Sequence, residues 1–308
     1  MRHIVKKSGE TRNTMLNKIT IQAPAKINLT LDVIGDRPNG YHDLRMIMQT
    51  IDICDELTII HTGSPEIKIT IDKELEEPIP LEDNLIYKAA MLLQKQYQLP
   101  YGFQIHLTKN IPAAAGLAGG SADCAATLLG INRLCGLSLT KDELCDMGLT
   151  LGADVPFCIR KGTMLSEGIG EILTPLPELP PLWTILIKPN YSISTAYVYQ
   201  NLHWKRLSYH PDTQKAVDAI SRHDMVALAG NLSNVLETVA FKEHPELAQL
   251  KEFFLQNGAI GSLMSGSGPT VYGLYQDEIL ANIAYKTAQK KYPDYELLLC
   301  QTKTPAEK

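Results

Sequence analysis

A short segment of small residues and glycine, IPAAAGLAGGSADCAA at 111–126, constrains the fold of this chain more than any other stretch. The segment before it, 102–109, alternates apolar and polar residues and predicts a strand. The segment after it, 121–135, is rich in alanine and leucine and predicts a helix that Ser121 or Asp123 could cap. The chain is therefore expected to run from a strand, through a glycine loop, into a helix N-terminus.

That order is suited to binding a phosphate chain. Glycines let backbone N–H groups converge on one point, and the first turn of a helix leaves its N–H donors unpaired. The loop is not the common P-loop, because no Gly-Lys-Ser/Thr follows it, and Gly116, Gly119 and Gly120 lack the spacing of a dinucleotide fingerprint. By spacing alone, a plain strand-to-helix turn remains the alternative interpretation.

Bulk composition narrows the class of protein. A chain of 308 residues with 44% hydrophobic and 20% charged residues predicts a globular protein of about two domains. The net charge of −5 argues against nucleic acid or an anionic membrane as partner, and no apolar run approaches the roughly 18 residues of a membrane span. Six scattered cysteines without a C-x-x-C pair predict free thiols in a reducing, cytoplasmic compartment and no cysteine metal site.

The sequence predicts three parts: a flexible extension over 1–16, an N-terminal domain over 17–178 and a C-terminal domain over 179–308. The boundary is placed at TPLPELPP, which has four prolines in eight residues.

Apolar periodicity predicts two separate strands over 44–53 and 56–60, and a single helix over 225–240.

Two polar groups of residues stand out near the N-terminus. Lys26 starts a strand with clean alternation, and Asn28 follows on the same polar face. A Pro-Asn-Gly turn then presents Tyr41 and His42, an aromatic ring and an imidazole that could hold a flat heterocycle. The structural alternatives are a solvated strand end for Lys26 and an ordinary hairpin loop for Tyr41 and His42.

Two further segments follow later in the chain. Asp154 lies in GADVPF between a predicted helix end and an apolar run, where a carboxylate could be held in a cleft; a turn or cap aspartate is the commoner case. A second Gly/Ser loop, 265–268, separates two short predicted strands.

Four segments, taken together and in this order, resemble the motifs of the GHMP kinase superfamily. They are APAKINL, IPAAAGLAGGSAD, GADVPF and LMSGSGPTVYGLY, and the resemblance covers most of the chain from 23 to 301. The resemblance implies an α+β, two-domain fold, with an N-terminal domain like the second domain of ribosomal protein S5 and a C-terminal ferredoxin-like domain. It also implies transfer of the ATP γ-phosphoryl group to a hydroxyl, with Mg²⁺ accompanying ATP and no metal held by the protein.

The segment PNGYHDL, together with APAKINL, is similar to one branch of this superfamily. The acceptor of that branch is a cytidine diphosphate-linked methylerythritol, phosphorylated on its 2-hydroxyl in the methylerythritol phosphate route to isoprenoids. The expected partners are therefore small molecules, and the expected state is a monomer or weak homodimer.

The resemblance also implies residue roles. Asp154 would accept the proton of the attacking hydroxyl, and Lys26 would stabilise that carboxylate and the transferring phosphoryl group. Asn28 would orient the acceptor, His42 would bond the cytosine edge, and Tyr41 and Tyr199 would stack on its ring. The 265–268 loop would pack beside the phosphate site. The expected ATP-binding residues are Pro112, Ala113, Ala114, Ala115, Gly116, Leu117, Ala118, Gly119, Gly120, Ser121, Ala122, Asn84 and Lys109.

Two other functions remain open at this stage. One is another GHMP kinase, such as a homoserine, mevalonate or galactose kinase; homoserine kinases lack the catalytic aspartate, and none of the three has a cytosine for a Gly-Tyr-His segment to hold. The other is a non-catalytic ATP-binding protein, which would need neither Lys26 nor Asp154.

Overall fold

The computed structural model describes residues 17–38, 40–73 and 79–303. The predicted extension at 1–16 and Asn39 of the predicted turn lie outside the described residues.

The described elements occur as runs of strands and runs of helices along the chain. The strands are β1 (Lys18–Asp36), β2 (His42–His61), β3 (Ile67–Ile71), β4 (Phe103–Thr108), β5 (Thr163–Gly168), β6 (Ile172–Pro175), β7 (Trp183–Lys188), β8 (Ser233–Asn234), β9 (Gly261–Met264), β10 (Val271–Tyr275) and β11 (Glu296–Gln301). The helices are α1 (Leu85–Gln96), α2 (Gly119–Leu134), α3 (Lys141–Leu149), α4 (Val155–Arg160), α5 (Thr195–Asn201), α6 (Thr213–Ser221), α7 (Met225–Ala229), α8 (Glu237–Glu243), α9 (Glu246–Gln256) and α10 (Glu278–Lys291).

The first sheet is built on the long antiparallel pair β1–β2, in the order β3-β4-β2-β1-β8, with β5 pairing the first half of β2 and β6 pairing β5. The apolar face of β1, with Ile27, Leu29 and Leu31, is buried under α2. Its polar face is buried as well, since Asn28 and Thr30 are fully enclosed. The enclosed polar face is the first sign that other parts of the chain close over this strand.

The second sheet has four antiparallel strands in the order β11-β7-β10-β9. Numbered within this half of the chain, the order is 4-1-3-2, which is the ferredoxin-like arrangement. Helices α9 and α10 pack on this sheet. The two halves are connected, because β8 pairs with β1 in parallel and Ile51 bridges Thr302. The boundary at residues 178–179 stays a prediction.

Three local predictions are wrong. The strands predicted over 44–53 and 56–60 are one strand, β2, because its pairing with β1 continues through Cys54 and Asp55. The helix predicted over 225–240 is interrupted by β8, where the Asn234 amide donates to the backbone oxygens of Met264 and Gly266. Helix α2 starts two residues earlier than predicted, and neither Ser121 nor Asp123 caps it.

No helix in the described ranges is both long and apolar enough to cross a membrane.

Candidate active site

A cleft of about 990 Å³ opens between β1, β2, the loop that precedes α2, and α5. Nearly all of the predicted site residues line it. The exceptions are Leu117 and Ala122, which are buried and absent from the cleft wall. The structure therefore brings together predicted site residues from six separate segments of the chain, at 26–28, 41–42, 84, 109–121, 154 and 199.

The loop at 111–118, which we call the phosphate loop, is held in an unusual backbone conformation. Ala114, Gly116 and Ala118 all have positive φ angles, of 47°, 72° and 58°. At Gly116 a Cβ atom would lie 2.1 Å from the Ser265 backbone oxygen, so only glycine fits. Ala118 is the N-cap of α2, and no side chain of the described residues caps this helix. The first-turn N–H groups of α2 therefore remain available to an anion in the cleft.

The Gly/Ser loop at 265–268 packs directly on the phosphate loop. The Ser265 hydroxyl donates to the Gly116 backbone oxygen at 3.0 Å, and the Gly266 N–H donates to Asn28 Oδ1 at 3.1 Å. The hydroxyls of Ser267 and Thr195 are 2.8 Å apart, which connects the same loop to the start of α5. The two glycine loops, distant in sequence, thus form one continuous wall of the cleft.

Lys26 and Asp154 face each other where the walls meet. The Lys26 ammonium lies 3.9 Å from Asp154 Oδ2 and donates to Asn28 Oδ1 at 2.8 Å. The Lys26 side chain is 5% exposed, which excludes the solvated strand end, whereas that of Asp154 is 32% exposed. Asp154 occupies the N-cap position of α4, yet within the described residues it makes no side-chain capping bond. Its carboxylate therefore lines the cleft with Lys26 as its ion-pair partner.

Asn28 is fully buried, and its side chain is occupied by the protein. Its Oδ1 atom accepts from Lys26 and from Gly266, and its amide group contacts the Met46 sulfur at 3.3 Å. This arrangement positions Lys26 and the 265–268 loop relative to each other.

Lys109 lines the cleft but is bonded to two buried carboxylates, Asp55 and Asp123. Asp55 also accepts the backbone N–H groups of Asn110 at 2.6 Å and Ile111 at 2.7 Å, and so fixes the entry to the phosphate loop. Burial lowers the pKa of Lys109, but the two carboxylates outweigh it and the net pKa is raised. Burial and the nearby Asp55 raise the pKa of Asp123, although Lys109 opposes the rise.

Sequence reasoning missed Asp55 as a site residue and considered Asp123 only as a helix cap. A carboxylate inside an apolar run, as in ICDEL and SADCAA, is the signal that could have found them. No cluster of three or more metal-ligating side chains occurs within residues 17–38, 40–73 and 79–303.

Asn84 has a local role in addition to lining the cleft. Its side chain accepts the Ile86 N–H at 2.9 Å and caps α1.

The opposite end of the cleft is aromatic. The His42 and Tyr199 rings stack with centroids 5.4 Å apart and an angle of 18° between their planes. Tyr41 lines the same end and is 54% exposed. Burial raises the pKa of the Tyr199 hydroxyl, so this ring stays neutral. We call these three residues the aromatic wall.

Comparison with known proteins decides the family. The family model described as GHMP kinases N terminal domain matches residues 84–162, and the one described as GHMP kinases C terminal matches residues 216–294. The 4-diphosphocytidyl-2-C-methyl-D-erythritol kinase of Lachnoclostridium phytofermentans is 46% identical over 91% of this chain and 93% of that protein. The same kinase of Acetivibrio thermocellus is 46% identical over 93% of this chain and 100% of its own length. The chain belongs to the GHMP kinase family.

Solved structures agree with this GHMP kinase assignment. A crystal structure of 4-(cytidine 5'-diphospho)-2C-methyl-D-erythritol kinase superposes with a TM-score of 0.78 at 30% identity, covering 93% of this chain and 100% of the other. A crystal structure of homoserine kinase from Cytophaga hutchinsonii superposes with a TM-score of 0.77, and the match covers 95% of this chain and 96% of the other. At 19% identity, this likeness shows the fold alone. The predicted family, the α+β two-domain fold and the kinase class are confirmed.

Proposed function

We propose that this kinase transfers the γ-phosphoryl group of Mg·ATP to the 2-hydroxyl of 4-diphosphocytidyl-2-C-methyl-D-erythritol. The observation that carries the proposal is the placement of Lys26 and Asp154 in one cleft, between the phosphate loop and the aromatic wall. The names of the relatives at 46% identity support the choice of acceptor. Mg²⁺ enters with ATP, as part of the substrate.

In this proposal Asp154 is the general base. Its carboxylate accepts the proton of the acceptor hydroxyl as that oxygen bonds to the γ-phosphorus, and the bond to the bridging oxygen breaks to release ADP. Lys26 is buried and its Nζ is held by Asn28, so its positive charge is fixed beside the reacting groups. A fixed charge in a site shielded from water stabilises the developing negative charge strongly.

The ATP phosphates bind the phosphate loop through backbone N–H groups, with Ser121 at the first turn of α2. Gly119, Gly120 and Ser121 line the cleft at that turn. Asn84 and Lys109 face the nucleotide from α1 and the end of β4. Because the Lys109 ammonium is bonded to Asp55 and Asp123, we assign it mainly to fixing the loop.

The cytosine ring lies against the aromatic wall, where Tyr41 and Tyr199 stack on its face and His42 bonds its edge. Asn28 acts on the acceptor through Lys26, since its own amide is engaged. The cytoplasmic location and the monomer or weak homodimer state stay predictions.

The test is ADP release from Mg·ATP, measured separately with 4-diphosphocytidyl-2-C-methyl-D-erythritol, homoserine, mevalonate and galactose. Turnover with the diphosphocytidyl acceptor alone is expected. Turnover with another acceptor instead would keep the kinase class and overturn the cytosine assignment. Binding of ATP without turnover on any of the four would contradict the proposal and favour a non-catalytic role.

A further inference from the structure

Asp36, the last residue of β1, has three hydrogen-bonding partners at the edge of the aromatic wall. Its Oδ1 atom accepts from Trp204 Nε1 at 2.7 Å and lies 3.2 Å from His42 Nδ1, and its Oδ2 atom accepts from Lys205 Nζ at 3.1 Å. Trp204 and Lys205 belong to a short turn that follows α5, the helix that carries Tyr199. One carboxylate therefore joins both sides of the wall.

The chemistry of this carboxylate determines where His42 carries its proton. The bonds from Trp204 and Lys205 lower the pKa of Asp36, so it is ionised and can only accept hydrogen bonds. The Nδ1 atom of His42 must then be the donor. In the neutral imidazole the proton is on Nδ1, and Nε2 is left with an unshared electron pair.

The Nε2 atom is available to a ligand. His42 lines the cleft, and in the described part of the chain no residue bonds its Nε2 atom. Stacking on Tyr199 fixes the plane of the imidazole ring, so the direction of the Nε2 electron pair is fixed as well. A fixed acceptor of this kind selects a ligand edge that carries a donor.

We propose that Asp36 is a positioning residue that sets the His42 tautomer, and that the enzyme thereby selects an acceptor whose pyrimidine carries a 4-amino group over one with a 4-oxo group. The amino group of cytosine donates a hydrogen bond to Nε2, whereas the 4-oxo group of uracil would face the Nε2 electron pair. This selection rests on the proposed function, since it assumes a pyrimidine against the aromatic wall.

The first measurement is the ratio of kcat/KM for the cytidine diphosphate-linked acceptor to that for its uridine analogue. We expect the wild-type protein to favour cytidine, and Asp36→Leu to reduce the ratio about tenfold, the size expected for one lost hydrogen bond. An Asp36→Leu ratio within about twofold of wild type would overturn the inference.

Two control variants separate tautomer control from simple tethering. Lys205→Met and Trp204→Phe remove the other two partners of Asp36 but leave its bond to His42 intact. They are expected to keep the preference for cytidine. If they lower the ratio as much as Asp36→Leu does, Asp36 only tethers the two sides of the wall, and the inference is wrong.

The second measurement observes the tautomer directly. The ¹⁵N chemical shifts of histidine-labelled protein, with His42 assigned by comparison with His42→Ala, should show a proton on Nδ1 in the wild type and a shift toward Nε2 in Asp36→Leu. A wild-type proton on Nε2 would overturn the inference. Wild-type turnover of both acceptors at equal rates overturns the inference but leaves the kinase function standing, whereas turnover of neither overturns the proposed function as well.

Discussion

The two ends of the cleft are built in different ways. The nucleotide end comes mainly from one continuous segment, 109–123, and is fixed by buried charges: Asp55 is fully enclosed, and Lys109 is 9% exposed. The aromatic wall comes from segments far apart in the chain, and the carboxylate that joins them, Asp36, is 48% exposed. The comparison indicates that changes at the nucleotide end should affect folding together with ATP binding. Changes at the aromatic wall should affect the acceptor alone.

The largest effect is expected between the two ends. Asp154→Asn keeps the shape of the side chain but cannot accept the hydroxyl proton, and kcat should fall by about 10²- to 10⁴-fold. The KM values for ATP and acceptor should change little, because Asp154 belongs neither to the phosphate loop that binds ATP nor to the aromatic wall that binds the acceptor. Steady-state kinetics with both substrates measures this, and near-wild-type turnover would rule out the general-base role.

At the nucleotide end, Asp55→Ala should lower the free energy of unfolding by about 3–5 kcal/mol, because it leaves Lys109 with an incomplete set of buried partners and removes the acceptor for two loop N–H groups. Urea denaturation measures the loss. The exposed matched control is Asp36→Ala, which should leave the urea midpoint close to that of the wild type, because ion pairs at the surface are screened by water. Equal losses in the two variants would contradict the contrast between the ends.

Two glycines with positive φ give a second matched pair. Gly116→Ala places its Cβ 2.1 Å from the Ser265 oxygen and should cost about 2–3 kcal/mol of stability and raise the KM for ATP. Gly40→Ala, in the turn before Tyr41, has the same backbone strain but no described atom within 4 Å, so about 1 kcal/mol is expected. Thermal unfolding and ATP titration of both variants test whether close contact, rather than backbone strain, distinguishes the two positions.

The smallest effect is expected at the aromatic wall. His42→Ala should weaken acceptor binding about tenfold, the loss of one hydrogen bond and a ring contact, and leave the KM for ATP unchanged. Stability should stay near wild type, since the His42 side chain is partly exposed. Isothermal titration calorimetry measures the affinity for each substrate separately. An equal loss of affinity for ATP and for the acceptor would show that His42 has a structural role.

How much the sequence could predict differs between the two ends of the cleft. The phosphate loop was predictable because its strand, glycines and helix are neighbours in the chain, and apolar periodicity and backbone freedom act locally. The capping box that starts α3 is local in the same way, because Thr140 and Glu143 are only three positions apart. The prediction of one helix over 225–240 failed because the two-residue strand β8 is stabilised by bonds from Asn234 to Met264 at the end of β9 and to Gly266, which are 30 and 32 positions away.

The amino-acid sequence by itself determined the order of most strands, loops and helices, and its resemblance to the GHMP kinases grouped Lys26, Asp154 and the glycine loops as one set. Local propensity and spacing are properties of neighbouring residues, so they can be read from the chain. Only the tertiary structure decided that Asp55 and Asp123 share Lys109, and that Trp204 reaches Asp36 across 168 positions. Such contacts depend on how distant surfaces close over one another, and each partner is an ordinary polar residue until burial brings the two together.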